Sequence, residues 1–175
     1  ACLAMAFARY VSADYLDPVW EVRFWREATT VFMLAGPGGC EPYGLATVAT
    51  DHGLSAEIWC SSESYLFLDT VRDAEKRRVM ELAQTDFRAR ALAAEVPVRH
   101  RAFTLDELRE NLAVGRVAIV LVSGYLMMGT KVPHWVLAHA DDGRHIIVHD
   151  PWVEEERGET AGDAANIPVP YAIFD

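Results

Sequence analysis

The stretch His134-Trp135-Val136-Leu137-Ala138-His139-Ala140-Asp141-Asp142-Gly143-Arg144-His145-Ile146-Ile147-Val148-His149-Asp150 decides the fold. Two apolar, β-branched segments, 134–140 and 144–150, flank Asp141-Asp142-Gly143, and Asp-Gly between such segments signals a hairpin. A register centred on Asp142 sets His134 directly opposite Asp150, with a slip of one residue left open by the turn type. Opposite residues on one face of an antiparallel pair have Cβ atoms about 4.5–5.5 Å apart, so a carboxylate there reaches an imidazole. A histidine acting as general base needs such a partner to fix its tautomer and to stabilise the imidazolium. Spacing alone leaves the matter open, because a strand histidine is more often structural and Asp-Pro after a strand is more often a turn.

Working upstream, Arg116–Ser123 is apolar and β-branched and reads as a central strand. Thr104 and Glu107 form the ends of a capping box, which predicts a helix reaching Gly115. Pro97–Arg101 and Ala56–Cys60 read as short strands, and Asp69 to about Ala94 as a long amphipathic helix. Tyr43–Asp51 reads as a short helix stopped by Gly53, and Gly36-Pro37-Gly38-Gly39 as a loop. Asp17-Pro18 opens a helix directed towards Met33, with Asp17 as N-cap and Pro18 in the first turn. The opening residues Ala1–Ala8 are apolar all round and have no capping residue before them, so they predict a buried helix whose first turn lies partly upstream of Ala1. Downstream, Glu154–Asp163 reads as an acidic surface loop. Helices followed by antiparallel strands predict an α+β domain, with residues 1–175 forming a single unit truncated at its N-terminus.

Composition narrows the function. The chain has 175 residues, 51% of them hydrophobic, which is enough to bury a core. Sixteen Lys and Arg against 26 Asp and Glu give a net charge of −10, which disfavours nucleic acid and anionic membrane surfaces as partners. The longest apolar run, around Val117–Val122, is far short of the roughly 20 residues that span a bilayer. Cys2, Cys40 and Cys60 are an odd number without CxxC spacing, so neither a disulfide framework nor a zinc site is expected, and reduced thiols in a cytoplasmic protein are.

Among the remaining candidates, His139 and His145 could face each other across the hairpin as a metal pair, but two ligands without a third make a poor site. His149 lies on the same hairpin, and His52 and His100 read as surface residues. A thiolate is best activated at a helix N-terminus. Cys40, just before Pro42, fits that chemistry, whereas Cys2 and Cys60 read as buried thiols.

His134-Trp135-Val136, followed sixteen residues after His134 by Asp150-Pro151, resembles the His and Asp motifs of the bacteriocin-processing (double-glycine) leader peptidases. These are papain-like cysteine peptidases found as N-terminal domains of peptide-exporting ABC transporters. Their nucleophile opens the first helix in a Cys-Gly-Pro-Ala motif, and Ala1-Cys2-Leu3-Ala4-Met5 resembles the residues from that alanine onward. The resemblance thus implies a nucleophilic cysteine three residues before Ala1, with the oxyanion-hole glutamine also upstream; Cys2 would be displaced by about one helical turn. Trp25–Thr30, Gly38-Gly39-Cys40, Gly44-Leu45-Ala46 and Asn166–Pro170 resemble a stand-alone bacterial branch in which the peptidase-like region is often joined to an acetyltransferase domain.

The resemblance implies a papain-like fold and cofactor-free hydrolysis of a peptide, with a Gly-Gly type site as the one the related leader peptidases cut. In that scheme His134 deprotonates the thiol and later protonates the leaving amine, and Asp150 holds the imidazole. Trp135 and Trp152 flank the pair and could line a substrate groove, with core packing the alternative for Trp135. Three rival readings stand beside this one: a catalytically inactive peptide-binding module, another acyl-transfer enzyme such as a transpeptidase or amidase, and a peptidase that uses Cys40 as its nucleophile.

Overall fold

The computed structural model describes residues 1–33, 36–125 and 132–174. In chain order its elements are α1 (Cys2–Tyr10), α2 (Pro18–Ala28), β1 (Phe32–Met33), β2 (Gly36–Pro37), α3 (Pro42–Asp51), β3 (Ile58–Trp59), α4 (Ala74–Ala93), β4 (Val98–Arg99), α5 (Leu105–Ala113), β5 (Ala118–Ser123), β6 (Pro133–Asp141), β7 (His145–His149) and β8 (Ile167–Pro170). The architecture is α+β. Contacts divide the chain into two compact units, one of Ala1–Ala13 with Phe103–Asp175 and the other of Asp14–Ala102. Among the described residues no helix is long and apolar enough to cross a membrane.

In the 14–102 unit, capping chemistry sets most helix starts. The Asp17 side chain accepts from the Val19 N–H, and Pro18 occupies the first turn of α2. This helix ends at Ala28, short of Met33, because Thr29 and Thr30 find partners outside it. The Thr29 hydroxyl donates to the Gly38 carbonyl at 2.9 Å, and the Thr30 N–H donates to the Gly39 carbonyl at 2.9 Å. Those bonds draw the 36–40 segment alongside, so Gly36-Pro37 is a strand antiparallel to β1 rather than a loop. Gly38 and Gly44 mark close approaches: a Cβ on Gly44 would lie 2.7 Å from the Ala28 carbonyl oxygen. Likewise α4 begins at Ala74, later than the Asp69 expected, because Asp73 caps it by accepting from the Lys76 N–H. Tyr43, Ala46, Ile58, Phe87, Ala91 and Val96 form the core of this unit, and β3 and β4 pair in parallel.

The other unit is built on one antiparallel sheet with strand order β5-β6-β7-β8. Alternation sends Val120, Val136, Ala138, Ile146 and Val148 to one face, against Leu108 and Leu112 of α5. The capping box of Thr104 and Glu107 fixes the start of that helix. Leu137 points to the opposite face, against Cys2 and Ala6 of α1. Burying each of the valine, leucine and isoleucine side chains among these contributes about 1.5–3 kcal/mol, so both helices are held to the sheet mainly by this pattern. Ala118–Ser123 lies at the sheet edge, not at its centre. The other edge is β8, whose Pro168 and Pro170 lack the N–H of an inner ladder and suit an outermost strand.

Candidate functional site

The β6–β7 hairpin carries the site, with a register different from the one centred on Asp142. Ala138 pairs with Val148 and Leu137 with His149, a shift of two residues. Closer to the turn, Ala140 pairs with Ile147 and Asp141 with Ile146, a shift of three. The turn itself explains the shift. Asp142 accepts from the N–H groups of Arg144 and His145, Asp141 accepts from the Gly143 N–H, and Gly143 sits at φ 89°, so the aspartates build a wider loop than a two-residue turn. A bulge at His139 absorbs the odd residue between the two registers.

An even shift preserves the face each residue occupies. His134 and Asp150 therefore still share a face, as diagonal rather than direct neighbours. The imidazole spans that diagonal, and His134 Nε2 lies 2.6 Å from Asp150 Oδ1. Their side chains are only 12% and 7% exposed. A carboxylate can only accept, so Nε2 carries the proton and Nδ1 is left as the basic nitrogen. The same Oδ1 accepts from the Trp152 N–H at 2.8 Å, while the Asp150 N–H donates to the Ala164 carbonyl at 2.9 Å. Asp150 is thus anchored both through its carboxylate and through its backbone.

Helix α1 runs beside β6 in the same direction. At its start the Cys2 thiol donates to the Trp135 carbonyl at 3.3 Å. One turn later Ala6 packs with Leu137, and at the far end Arg9 acts electrostatically on His139 and His149. The N-terminal end of α1, the positive end of its dipole, accordingly lies at the His134 end of the strand. Trp135 packs against the Cys2, Ala6 and Leu137 cluster, whereas Trp152 is 56% exposed.

The other candidates lie elsewhere. Cys40 precedes α3 as expected, but burial outweighs its position and pushes the thiol up to about 11, with the neighbouring Glu41 acting in the same direction. Such a group stays protonated near neutral pH. His139 and His145 do not face each other: His145 Nδ1 lies 3.0 Å from Asp142 Oδ2, and the His139 ring stacks on His149 at 4.1 Å. Among the described residues no group of three or more His, Cys, Asp or Glu is placed to hold a metal ion.

Two features escape the sequence reading. Glu41 is fully buried, and its side chain caps α3 by accepting from the Tyr43 and Gly44 N–H groups. Pro42 in the first turn is the signal for a cap at 41, but Glu is not among the usual cap residues. The His139–His149 stack depends on the bulge, which no local signal announces.

No curated protein and no solved structure matches the chain. A family model described as Peptidase_C39 like family matches residues 1–175, the whole chain including the hairpin and α1, and the chain belongs to that family.

Proposed function

We propose that this chain is the body of a cysteine peptidase of papain-like fold, with His134 as its general base and Asp150 as the residue that orients it. The observation that carries the reading is the largely buried His134–Asp150 pair, 2.6 Å apart, at the end of β6 beside which α1 begins. The nucleophile would be a cysteine just upstream of Ala1, where the helix dipole and the free Nδ1 of His134 both favour a thiolate. In the reaction Nδ1 takes the thiol proton, the thiolate attacks the peptide carbonyl, and the imidazolium returns the proton to the leaving amine. Asp150, itself held by the Trp152 N–H, keeps the productive tautomer throughout. Membership of the family supports the peptidase chemistry coarsely. A double-glycine leader peptide as substrate and a place in the stand-alone bacterial branch are narrower proposals that rest on the sequence resemblance. Because the family model runs across both units, we read 1–175 as one peptidase-like domain.

The test is iodoacetamide labelling of the chain extended upstream, at mildly acidic pH, read by peptide mass spectrometry and run beside a His134→Ala variant. Ordinary thiols react slowly there and a His-paired thiolate does not. Fast labelling of an upstream cysteine that vanishes in the variant is the expected result. Slow labelling of every thiol would instead mark an inactive peptide-binding module, and fast labelling of Cys40 would move the nucleophile to α3.

A further inference from the structure

We propose that His149 is a positioning residue: its neutral imidazole, held between Asn166 and His139, fixes the end of β7 so that Asp150 stays on His134. The inference rests on reading Asp150 as the orienting partner of His134.

His149 and Asp150 are consecutive, so they occupy opposite faces of the sheet. On the α1 face, His149 Nδ1 accepts the Asn166 backbone N–H at 3.2 Å. One residue further on, the Asp150 N–H donates to the Ala164 carbonyl at 2.9 Å. The 164–166 segment thus grips the end of β7 at two successive residues, once through a side chain and once through the backbone. Asn166 takes φ 56°, a left-handed conformation that asparagine tolerates better than most residues, which aims its N–H at the ring just before β8 begins.

The bulge supplies the third wall. It turns His139 onto the same face, where the two rings lie nearly parallel, 4.1 Å apart at 16°. The Asn166 side chain also reaches the His139 ring. An accepting nitrogen must be unprotonated, so the bond from Asn166 exists only while Nδ1 of His149 is bare. Of the groups facing the stack, Arg9 from α1 opposes a proton there, and the His139 ring from β6 is itself disfavoured as a cation by burial, by His149 and by Arg9. Burial first and Arg9 second hold His149 below its ordinary 6.5. A histidine depressed in this way contributes stability that is complete above its unfolded value and is lost as pH falls. Protonation would convert the acceptor into a donor facing another donor, releasing Asn166 and, with it, the grip on Asp150.

Backbone hydrogen exchange of the substrate-free chain, read at the Asp150 amide by NMR, tests this directly. In the wild type, protection at Asp150 should fall about tenfold as pH is lowered from roughly 7.5 through the range, below its ordinary value, in which the His149 ring titrates, the factor expected for loss of one such hydrogen bond. His149→Gln keeps an acceptor that does not titrate, so its protection should stay flat over that range. His149→Phe keeps a stacking ring without an acceptor and should show the low value at both ends. Flat protection in the wild type, or wild-type protection in His149→Phe, would overturn the proposal. If His149→Phe fails to fold, the comparison of wild type with His149→Gln still decides. Failure of the peptidase reading would appear as unreactive thiols and leave the exchange result intact. Failure of the His149 proposal would appear as flat exchange with thiol reactivity intact.

Discussion

Glu41 offers the sharpest test of how burial and capping compete. Its carboxyl group is 0% exposed, accepts two backbone N–H groups at the start of α3, and feels the attraction of Arg88. Burial wins nonetheless, pushing the group from 4.5 up to about 7. The folded chain therefore keeps a proton that the unfolded chain releases between those values. A carboxyl raised in the folded state favours folding most below its unfolded value, and that contribution disappears as pH rises through 7. A displacement from 4.5 to about 7 corresponds to stability on the order of 3 kcal/mol. Glu41→Gln removes the ionisation, but its NH2 faces one of the two N–H groups that the carboxylate oxygens accept, so one cap bond is lost at every pH. The variant should be less stable than the wild type by about 1–3 kcal/mol near roughly pH 4, where only the lost cap bond counts, and should gain up to about 3 kcal/mol relative to it by roughly pH 8. Urea unfolding followed by tryptophan fluorescence at the two pH values measures both differences. Equal pH slopes in the two proteins would refute the reasoning by showing that the cap donors and Arg88 offset desolvation.

Other substitutions probe the site and its supports. Asp150→Ala leaves the His134 Nε2–H and the Trp152 N–H without their shared acceptor, so denaturant unfolding should show a loss of about 2–4 kcal/mol. Asp150→Asn keeps an oxygen for both and should lose less than half of that, while either variant should slow thiol alkylation or peptide cleavage by about a hundredfold or more. Gln84→Leu strips the buried pair of bonds to the Leu66 N–H and carbonyl, and thermal unfolding should report about 2–4 kcal/mol of destabilisation. Gly44→Ala places a methyl 2.7 Å from the Ala28 carbonyl oxygen and 3.0 Å from the Phe87 ring; the strain should appear as about 1–3 kcal/mol in the same assay.

Features written in local chemistry were legible. Asp17-Pro18 and the Thr104–Glu107 box start α2 and α5 as the sequence predicts, because a cap needs only residues within one turn of it. The apolar runs of the last third became antiparallel strands for the same reason: alternation is a property of each strand alone. What failed needed a partner. Gly36-Pro37 looks like a loop until Thr29 and Thr30 bond to Gly38 and Gly39. Pro168 and Pro170 hide β8, since proline argues against a strand until the strand is known to be outermost. Cys40 reads as an activated thiol from its helix position, and only the surrounding packing shows that burial dominates.

The His134–Asp150 contact survived an error in the register because of parity. The expected pairing was wrong by two residues at the site and by three at the turn, yet only an odd shift moves a side chain to the other face. Without the extra residue at the bulge, a shift of three running the length of the hairpin would put His134 and Asp150 on opposite faces of the sheet. The bulge that confines the odd shift to the turn also brings His139 onto His149. One inserted residue therefore does two things: it returns the catalytic candidates to a common face, and it builds the third wall of the clamp behind Asp150. Deleting His139 separates these roles. Ala138 and Ala140 would then meet Val148 and Ile147 in an unbroken ladder, with His134 still facing Asp150 but without the stacked ring behind it. If the pair depends only on parity, His134 should keep its contact with Asp150 in the deletion at every pH. If it also depends on the clamp, protection of the Asp150 amide should fall even where His149 is neutral.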